Sequence, residues 1–243
     1  CCLCAVGVGW MAGRPLGFTG RAEPFQHKPW PTPIASARFI QRSLRLMAES
    51  TQAKRNVVRV LFYGQSITAQ KWADQVTRSL RARFPHEELI VENRALGGYP
   101  SQLLVKTAET DLYPFYPDLL IFHVYGAHDK YEDIIRRVRE RTTAEILVQT
   151  DHVTKAEEIG EETSPSRIDM QDAPWATFMN QVLLPELSRR YQTALCDQRA
   201  SWKRYLTAYG LAPNALLSDD VHLNEHGEWL MAACVEDCLR RNR

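Results

Sequence analysis

A serine, a histidine and an aspartate stand at positions where they could form an activated nucleophile. Ser66 follows a short apolar run and a glycine, and Asp219 and His222 are three residues apart just before the last predicted helix. When such groups converge, the imidazole removes the hydroxyl proton, and the carboxylate fixes the imidazole tautomer and stabilises its protonated form. The sequence therefore predicts Ser66 as a nucleophile, His222 as its base and Asp219 as the residue that orients His222.

Two further segments carry groups that could stabilise a negatively charged oxygen. Gly97 and Gly98 close the segment NRALGG, and glycines leave backbone N–H groups uncovered. The N–H groups of Ser66 and a glycine would together hold the oxyanion of an acyl-transfer intermediate, and loss of one such donor raises the barrier by about 3–4 kcal/mol. The segment GAHD adds His128 and Asp129 after another apolar run.

The rest of the chain alternates between short apolar runs and amphipathic stretches. Near-continuous apolar runs are typical of strands in a parallel sheet that is covered on both faces. The pattern predicts an α/β fold, a three-layer α/β/α sandwich with a mainly parallel five-stranded sheet. Ligands bind such sheets beyond the carboxyl ends of the strands, where the segments above fall. The predicted strands are residues 56–63, 88–92, 118–125, 144–150 and 193–196, and the predicted helices are residues 34–50, 70–84, 99–112, 130–141, 174–191, 199–210 and 224–240.

Together these segments resemble the four sequence blocks of the SGNH/GDSL hydrolases, a family of serine esterases and lipases. VLFYGQSIT is similar to the first block, NRALGG to the second, LIFHVYGAHD to the third and LLSDDVHLNEHGEWLMA to the fourth. The resemblance extends over residues 56–240. It implies a flavodoxin-like topology, with Ser66 as nucleophile, Asp219 and His222 as its partners, and Gly98 as an oxyanion donor.

Two positions depart from the pattern of that family. Gln65 stands where many members have an aspartate, and His128 stands where the family has the asparagine that donates to the oxyanion. An imidazole N–H can also donate, so His128 either completes the oxyanion hole or leaves it weakened, with a neighbouring residue as the substitute. A register with Asp220 in place of Asp219 is an alternative that would break the three-residue spacing to His222.

Further residues are candidates for the wall of a binding pocket. Asp151 and His152 follow the fourth predicted strand, and they either line the pocket or begin a polar loop. Trp175 follows that loop, residues 151–173, and either stacks on a sugar or packs in the core. Long loops of this kind often form lids or binding surfaces. Three more candidates adjoin the predicted catalytic groups: Gln65, Gly97 and Asp129.

Composition and motifs argue against several other classes of protein. The chain has 30 Lys and Arg residues against 29 Asp and Glu, a net charge of +1, whereas a nucleic-acid binder usually shows a basic excess. A GxxxxGK phosphate-binding loop is missing from the sequence, so we expect no nucleotide cofactor. The histidines lack the spacing of an HExxH motif, so we expect no metal site. His123, inside an apolar run, is expected in the core or behind the site.

The first 33 residues differ in character from the rest. Cys1 to Met11 is apolar but too short to span a bilayer, so we expect no stable membrane insertion. This stretch fits the remnant of a signal peptide, which would imply an exported protein. It also fits the arbitrary boundary of a gene fragment. Residues 12–33 are rich in proline. We therefore predict an irregular N-terminal extension over residues 1–33, either a signal remnant or a linker to an upstream domain, and an SGNH-like hydrolase domain over residues 34–243.

The resemblance also implies an activity. It is that of a cofactor-free serine hydrolase that cleaves carboxylic esters of small molecules or polysaccharides through an acyl-enzyme. Many exported bacterial members remove acetyl groups from polysaccharides, and this chain shows no large apolar lid helix for a long acyl chain. An O-acetylesterase acting on carbohydrate is therefore the first expectation. A lysophospholipase or thioesterase-like enzyme is the second, and a catalytically degenerate relative that binds glycans is the third.

Overall fold

A five-stranded, all-parallel sheet forms the centre of the protein, seen in a computed structural model that describes residues 37–160 and 175–240. The strand order is β2-β1-β3-β4-β5, the order of flavodoxin-like folds, so the predicted fold class is confirmed. The predicted extension over residues 1–33 lies outside the described residues. The strands are β1 (Val57–Gly64), β2 (Glu88–Asn93), β3 (Leu119–His123), β4 (Glu145–Gln149) and β5 (Ala194–Cys196).

Helices cover both faces of this sheet. Helices α3, α4 and α6 pack together on one face, and α2 packs against α8 on the other. Among the described residues, no helix combines the length and the apolar character needed to cross a bilayer. The helices are α1 (Gln41–Ala48), α2 (Trp72–Arg83), α3 (Ser101–Asp111), α4 (His128–Arg141), α5 (Trp175–Phe178), α6 (Leu184–Tyr191), α7 (Gln198–Tyr209) and α8 (Glu225–Cys238).

Alternate side chains of β1 reach both helical layers. Leu61 and Tyr63 belong to the core cluster on the side of α3 and α4. Phe62, between them, faces the other layer, where its ring lies 5.6 Å from that of Trp72 at an edge-to-face angle of 77°. Full burial of one such side chain stabilises the fold by roughly 1.5–3 kcal/mol. The central strands are therefore held from both sides, and their carboxyl ends are fixed relative to one another.

Strand β3 ends two residues earlier than the sequence predicts. It was expected to run to Tyr125, but it ends at His123. The chain then turns toward the start of α3, where the Ser101 N–H donates to the Tyr125 carbonyl at 2.8 Å. This turn removes Tyr125 from the sheet and leaves its side chain 40% exposed.

The helix predicted over residues 174–191 contains a wider turn in its middle. The structure describes it from residue 175 onward as α5, a π-helical turn over Met179–Leu183, and α6. Pro185, the second residue of α6, has no N–H and cannot donate to the Gln181 carbonyl, so the regular ladder of hydrogen bonds is interrupted here. Single π-turns of this kind accommodate such interruptions.

Gly64 ends β1 and lies opposite His123 of β3. A Cβ atom at position 64 would overlap the carbonyl oxygen of His123 and the hydroxyl oxygen of Thr68. The first of these atoms is backbone in a central strand and cannot move aside. Only glycine therefore lets β1 deliver the following turn, with Ser66, next to the end of β3.

Replacement of Gly64 by alanine is expected to destabilise the fold. The added methyl group must push β1 away from β3, and overpacking of this kind lowers the free energy of unfolding by about 3 kcal/mol. Chemical denaturation of wild type and Gly64→Ala measures the difference. Gly160→Ala is the matched control, because a Cβ there meets no atom of the described residues within 4 Å. Equal stabilities of Gly64→Ala and the control would contradict the prediction.

Candidate active site

Ser66 lies in a tight turn that directly follows β1. The Ala69 N–H donates to the Gln65 carbonyl at 3.1 Å, which closes one helical turn before α2 begins. The side chain of Gln65 lies beneath this turn, where its Oε1 accepts from the Ile67 N–H at 3.1 Å. Gln65 is only 3% exposed. The turn is therefore held from inside by a buried side chain, and the Ser66 hydroxyl is left at its outer surface.

His222 and Asp219 complete a continuous line of hydrogen bonds with Ser66. The His222 Nε2 lies 2.9 Å from the Ser66 Oγ, and the His222 Nδ1 lies 2.8 Å from the Asp219 Oδ2. The other carboxylate oxygen of Asp219 accepts from the backbone N–H groups of His222 at 2.7 Å and Val221 at 2.8 Å. These backbone bonds, together with the imidazole, lower the pKa of Asp219 to about 2. Asp219 is thus ionised near neutral pH.

The loop that carries His222 is fastened on two sides. Gln70, in the turn after Ser66, donates to the Leu223 carbonyl at 2.9 Å and accepts from the Leu223 N–H at 3.1 Å. On the other side, the His152 Nε2 lies 2.9 Å from the Val221 carbonyl oxygen and donates to it. His222 stands between the two anchored residues, so its ring is held in reach of Ser66.

The Ser66 hydroxyl opens into a cavity of about 540 Å³ at the carboxyl edge of the sheet. Gly98 lies in its wall, with a backbone φ of +74°, a left-handed conformation that glycine adopts without strain. Among the described residues, neither the Ser66 N–H nor the Gly98 N–H donates to another protein group. Both amides are therefore free to donate to an oxyanion. The cavity is lined by Gln65, Ser66, Ile67, Gly98, His123, Tyr125, Asp151, His152, Thr154, Glu158, Ala176, Arg199, Val221 and His222.

The third expected oxyanion donor, His128, does not line this cavity. It is the first residue of α4, and its ring centroid lies 5.0 Å from that of Phe178 in α5. Burial lowers the pKa of His128. Because the His128 ring packs against Phe178, it is not among the described residues that line the cavity, whereas Ser66 and Gly98 bring their backbone amides to its wall.

The other predicted pocket residues divide into three groups. Gln65, Asp151 and His152 line the cavity. Gly97 adjoins Ser66, since a Cβ at Gly97 would lie 3.9 Å from that of Ser66, but it is not part of the wall. Asp129 points away and forms an ion pair with Lys130 at 3.0 Å. The side chain of Trp175 lies outside the part of the chain that the structure describes.

Two buried pairs of polar side chains contribute to the cavity wall. The His123 Nε2 lies 2.6 Å from the Asp151 Oδ1, and both side chains are largely buried. Burial alone would raise the pKa of Asp151, but the hydrogen bonds from the His123 and Asn180 side chains lower it below its usual value. Arg199 and Glu158 form a second buried pair, with 3.5 Å between Nη1 and Oε2. Among the described residues, no group of three or more His, Cys, Asp or Glu side chains is arranged to hold a metal ion.

Several of these functional residues carry no recognisable sequence signal. Gln70 and Asn180 are single amides within helical patterns, and their roles depend on partners more than 25 residues away. Tyr125 was expected inside a strand. His123 had a usable signal, because a polar residue at the end of an otherwise apolar strand lies at the edge where ligands bind.

Three solved structures share this fold. A two-domain esterase active on acetylated mannans superposes with a TM-score of 0.64 at 20% sequence identity, over 84% of this chain and 53% of the esterase, so this chain spans about half of its length. An acetylxylan esterase from Geobacillus stearothermophilus gives a TM-score of 0.60 at 18% identity, over 76% of this chain and 95% of that one. An alpha/beta hydrolase from the metagenome of Lake Arreo, Spain, gives a TM-score of 0.60 at 17% sequence identity, over 75% of this chain and 94% of the hydrolase.

These similarities are structural. No family model matches the sequence, and no curated protein matches it. Two solved variants of the acetylxylan esterase, described as catalytic mutants, replace an aspartate and a histidine that are three positions apart.

The buried imidazole of His152 is expected to make stability depend on pH. Burial lowers the pKa of His152 to about 4, so below its ordinary value of 6.5 the unfolded chain binds a proton that the folded protein does not. Stability therefore falls as the pH falls from about 6.5 to about 4. The His152→Gln variant keeps an N–H for the Val221 carbonyl but does not titrate, so its melting temperature should fall less over this range. A constant difference in melting temperature between the two proteins would be evidence against this.

Proposed function

We propose that this protein is a serine hydrolase that cleaves carboxylic esters, with Ser66, His222 and Asp219 as its catalytic residues. The observation that carries the proposal is the unbroken line from the Ser66 hydroxyl to the Asp219 carboxylate, through contacts of 2.9 Å and 2.8 Å. The cavity beside Ser66 offers room for the substrate. A hydroxyl, an imidazole and a carboxylate in this order are the parts of an activated nucleophile.

In the first half of the reaction, Ser66 is acylated. The Asp219 carboxylate accepts the His222 Nδ1–H, which leaves the His222 Nε2 lone pair facing the Ser66 hydroxyl. His222 takes the hydroxyl proton as the Ser66 Oγ attacks the ester carbonyl. Negative charge then develops on the carbonyl oxygen, and the N–H groups of Ser66 and Gly98 donate to it. Collapse of this intermediate breaks the bond to the alcohol oxygen, and His222 returns its proton to the departing alcohol.

In the second half, water releases the acyl group. A water molecule takes the place of the alcohol next to His222. The His222 imidazole then removes a proton from this water. The resulting attack on the acyl carbonyl uses the same two N–H donors. The carboxylic acid then leaves, and the proton held by His222 returns to the Ser66 Oγ. Because both halves rely on the same imidazole, the fixed loop around His222 serves both.

We further propose that the substrate is an acetylated carbohydrate. The Thr154 hydroxyl in the cavity wall offers a hydrogen-bonding group to a sugar hydroxyl. Tyr125, partly exposed at the wall, offers an aromatic ring to a sugar face. Two of the proteins that share the fold are named as esterases of acetylated mannans and of acetylxylan, which supports the same substrate class.

Replacement of Ser66 by alanine tests the nucleophile. Hydrolysis of a chromogenic acetate ester by Ser66→Ala is expected to fall by about a hundredfold or more, because the remaining histidines hydrolyse such esters only slowly. A fluorophosphonate should add its mass to the wild type and not to the variant. Ser201→Ala is the control, because it removes a hydroxyl of α7 that donates to the Asp197 carbonyl. Equal rates for wild type and Ser66→Ala would rule out the proposed mechanism.

A comparison of esters tests the substrate class. Following the named substrates of the two esterases that share the fold, release of acetate from acetylated xylo- and manno-oligosaccharides should have a kcat/KM at least about tenfold above that for a lysophospholipid or a long-chain acyl thioester. Chromatography of the products formed by purified wild-type protein measures the rates for the acetylated sugars and for the long-chain substrates. A preference for the long chains would favour a lysophospholipase or thioesterase instead. Sugar binding without hydrolysis would favour a glycan-binding protein.

A further inference from the structure

The Ser66 hydroxyl has a second partner besides His222. Its Oγ lies 2.8 Å from the Gln65 Oε1 and donates to it in the hydrogen-bond pattern of the structure, while the His222 Nε2 lies 2.9 Å away. Because the hydroxyl carries one proton, it donates to one of these two acceptors at a time, and both are in reach from the same Oγ position. Rotation of the serine side chain would take the hydroxyl away from both acceptors.

The orientation of the Gln65 amide is itself fixed. The Ile67 N–H donates to the Gln65 Oε1 at 3.1 Å, so the amide oxygen faces the turn and Ser66. The amide nitrogen then faces the other way, 3.4 Å from the His123 Nδ1. One assignment of protons satisfies these contacts: the amide donates to Nδ1, and His123 carries its own proton on Nε2 and donates it to Asp151.

Asp151 anchors the far end of this chain of contacts. It accepts from His123 at 2.6 Å through Oδ1, and from the Asn180 side chain at 3.2 Å through Oδ2. The Asn180 Oδ1 in turn accepts from the Asp151 N–H at 2.7 Å. Asn180 lies in the π-helical turn, so the irregular turn places an amide against both the backbone and the carboxylate of Asp151.

We infer that Gln65, His123 and Asp151 form a positioning chain for Ser66. The chain orients the Gln65 amide. The amide in turn holds the Ser66 hydroxyl within reach of His222 and beside the oxyanion donors. The inference rests on the proposed function, since it assigns residues that act through its nucleophile. All three side chains are largely buried and line the cavity, and the reaction described above makes no other use of them.

Loss of the chain should slow the chemistry and leave substrate binding nearly unchanged. Without His123, the Gln65 amide can turn, and Ser66 spends less time in the reactive position. His123→Leu and Gln65→Leu are each expected to lower kcat for a chromogenic acetate ester by about tenfold, with KM within about twofold of wild type. The rate of Ser66 labelling by a fluorophosphonate should fall by the same factor as kcat, because labelling reports the nucleophile without the ester substrate.

A double-mutant cycle separates this role from a general structural one. If His123 acts through Gln65, the double variant Gln65→Leu/His123→Leu should be slowed by about the same factor as either single variant, and not by the product of the two factors. A product of the two factors would mean that the residues act independently and would overturn the inference. Labelling of His123→Leu at the wild-type rate would overturn it as well.

Two further variants complete the experiment. If His123→Leu does not fold, because Asp151 loses its partner, the isosteric Asp151→Asn takes its place in the cycle with Gln65→Leu and is judged in the same way. His226→Leu, which removes a histidine bound to Tyr205 outside the cavity wall, controls for the loss of any histidine. A wild-type protein that is not labelled would defeat the proposed function itself, whereas equal labelling of wild type and cycle variants defeats only the positioning chain.

Discussion

The hydrogen bond between Ser66 and His222 joins residues that are 156 positions apart, and much of the molecule acts to maintain it. Neither partner is held by its own segment alone. The Ser66 turn is fixed by the end of β1, where Gly64 permits close contact with β3, and the His222 loop is fixed through Gln70 and His152. The apolar packing on both faces of the sheet supplies the free energy that keeps these ends in place.

The site combines polar groups of very different exposure. Asp219 lies in an exposed loop, and backbone N–H groups there keep it ionised. Asp151 is buried, and hydrogen bonds from His123 and Asn180 to its oxygens help to keep its pKa below the usual value. An unpaired charge at that depth would be strongly destabilising. The contacts of Asp151 are therefore needed for stability, and they also hold the residues around Ser66 in place.

Much of the architecture could be predicted from the order of the elements. The five apolar runs are all strands, and each amphipathic stretch within the described residues is helical, because strands buried on both faces need continuous apolar sequence. The prediction is wrong where tertiary contacts decide the end of a strand: β3 stops at His123 because the next residues bond to the start of α3. The predicted helix over residues 174–191 is helical from residue 175 onward, and it widens near Pro185 because a backbone donor is missing there.

The sequence by itself determined the fold class and the residues that converge at the carboxyl edge of the sheet, since Ser66, Asp219 and His222 follow from block order and from a three-residue spacing. It could not exclude His128 from the cavity wall, because that depends on how the first turn of α4 packs against Phe178. Nor could it join Gln65 to His123 and Asp151. Such contacts depend on side-chain directions and distances between separate strands, and only the folded structure fixes those.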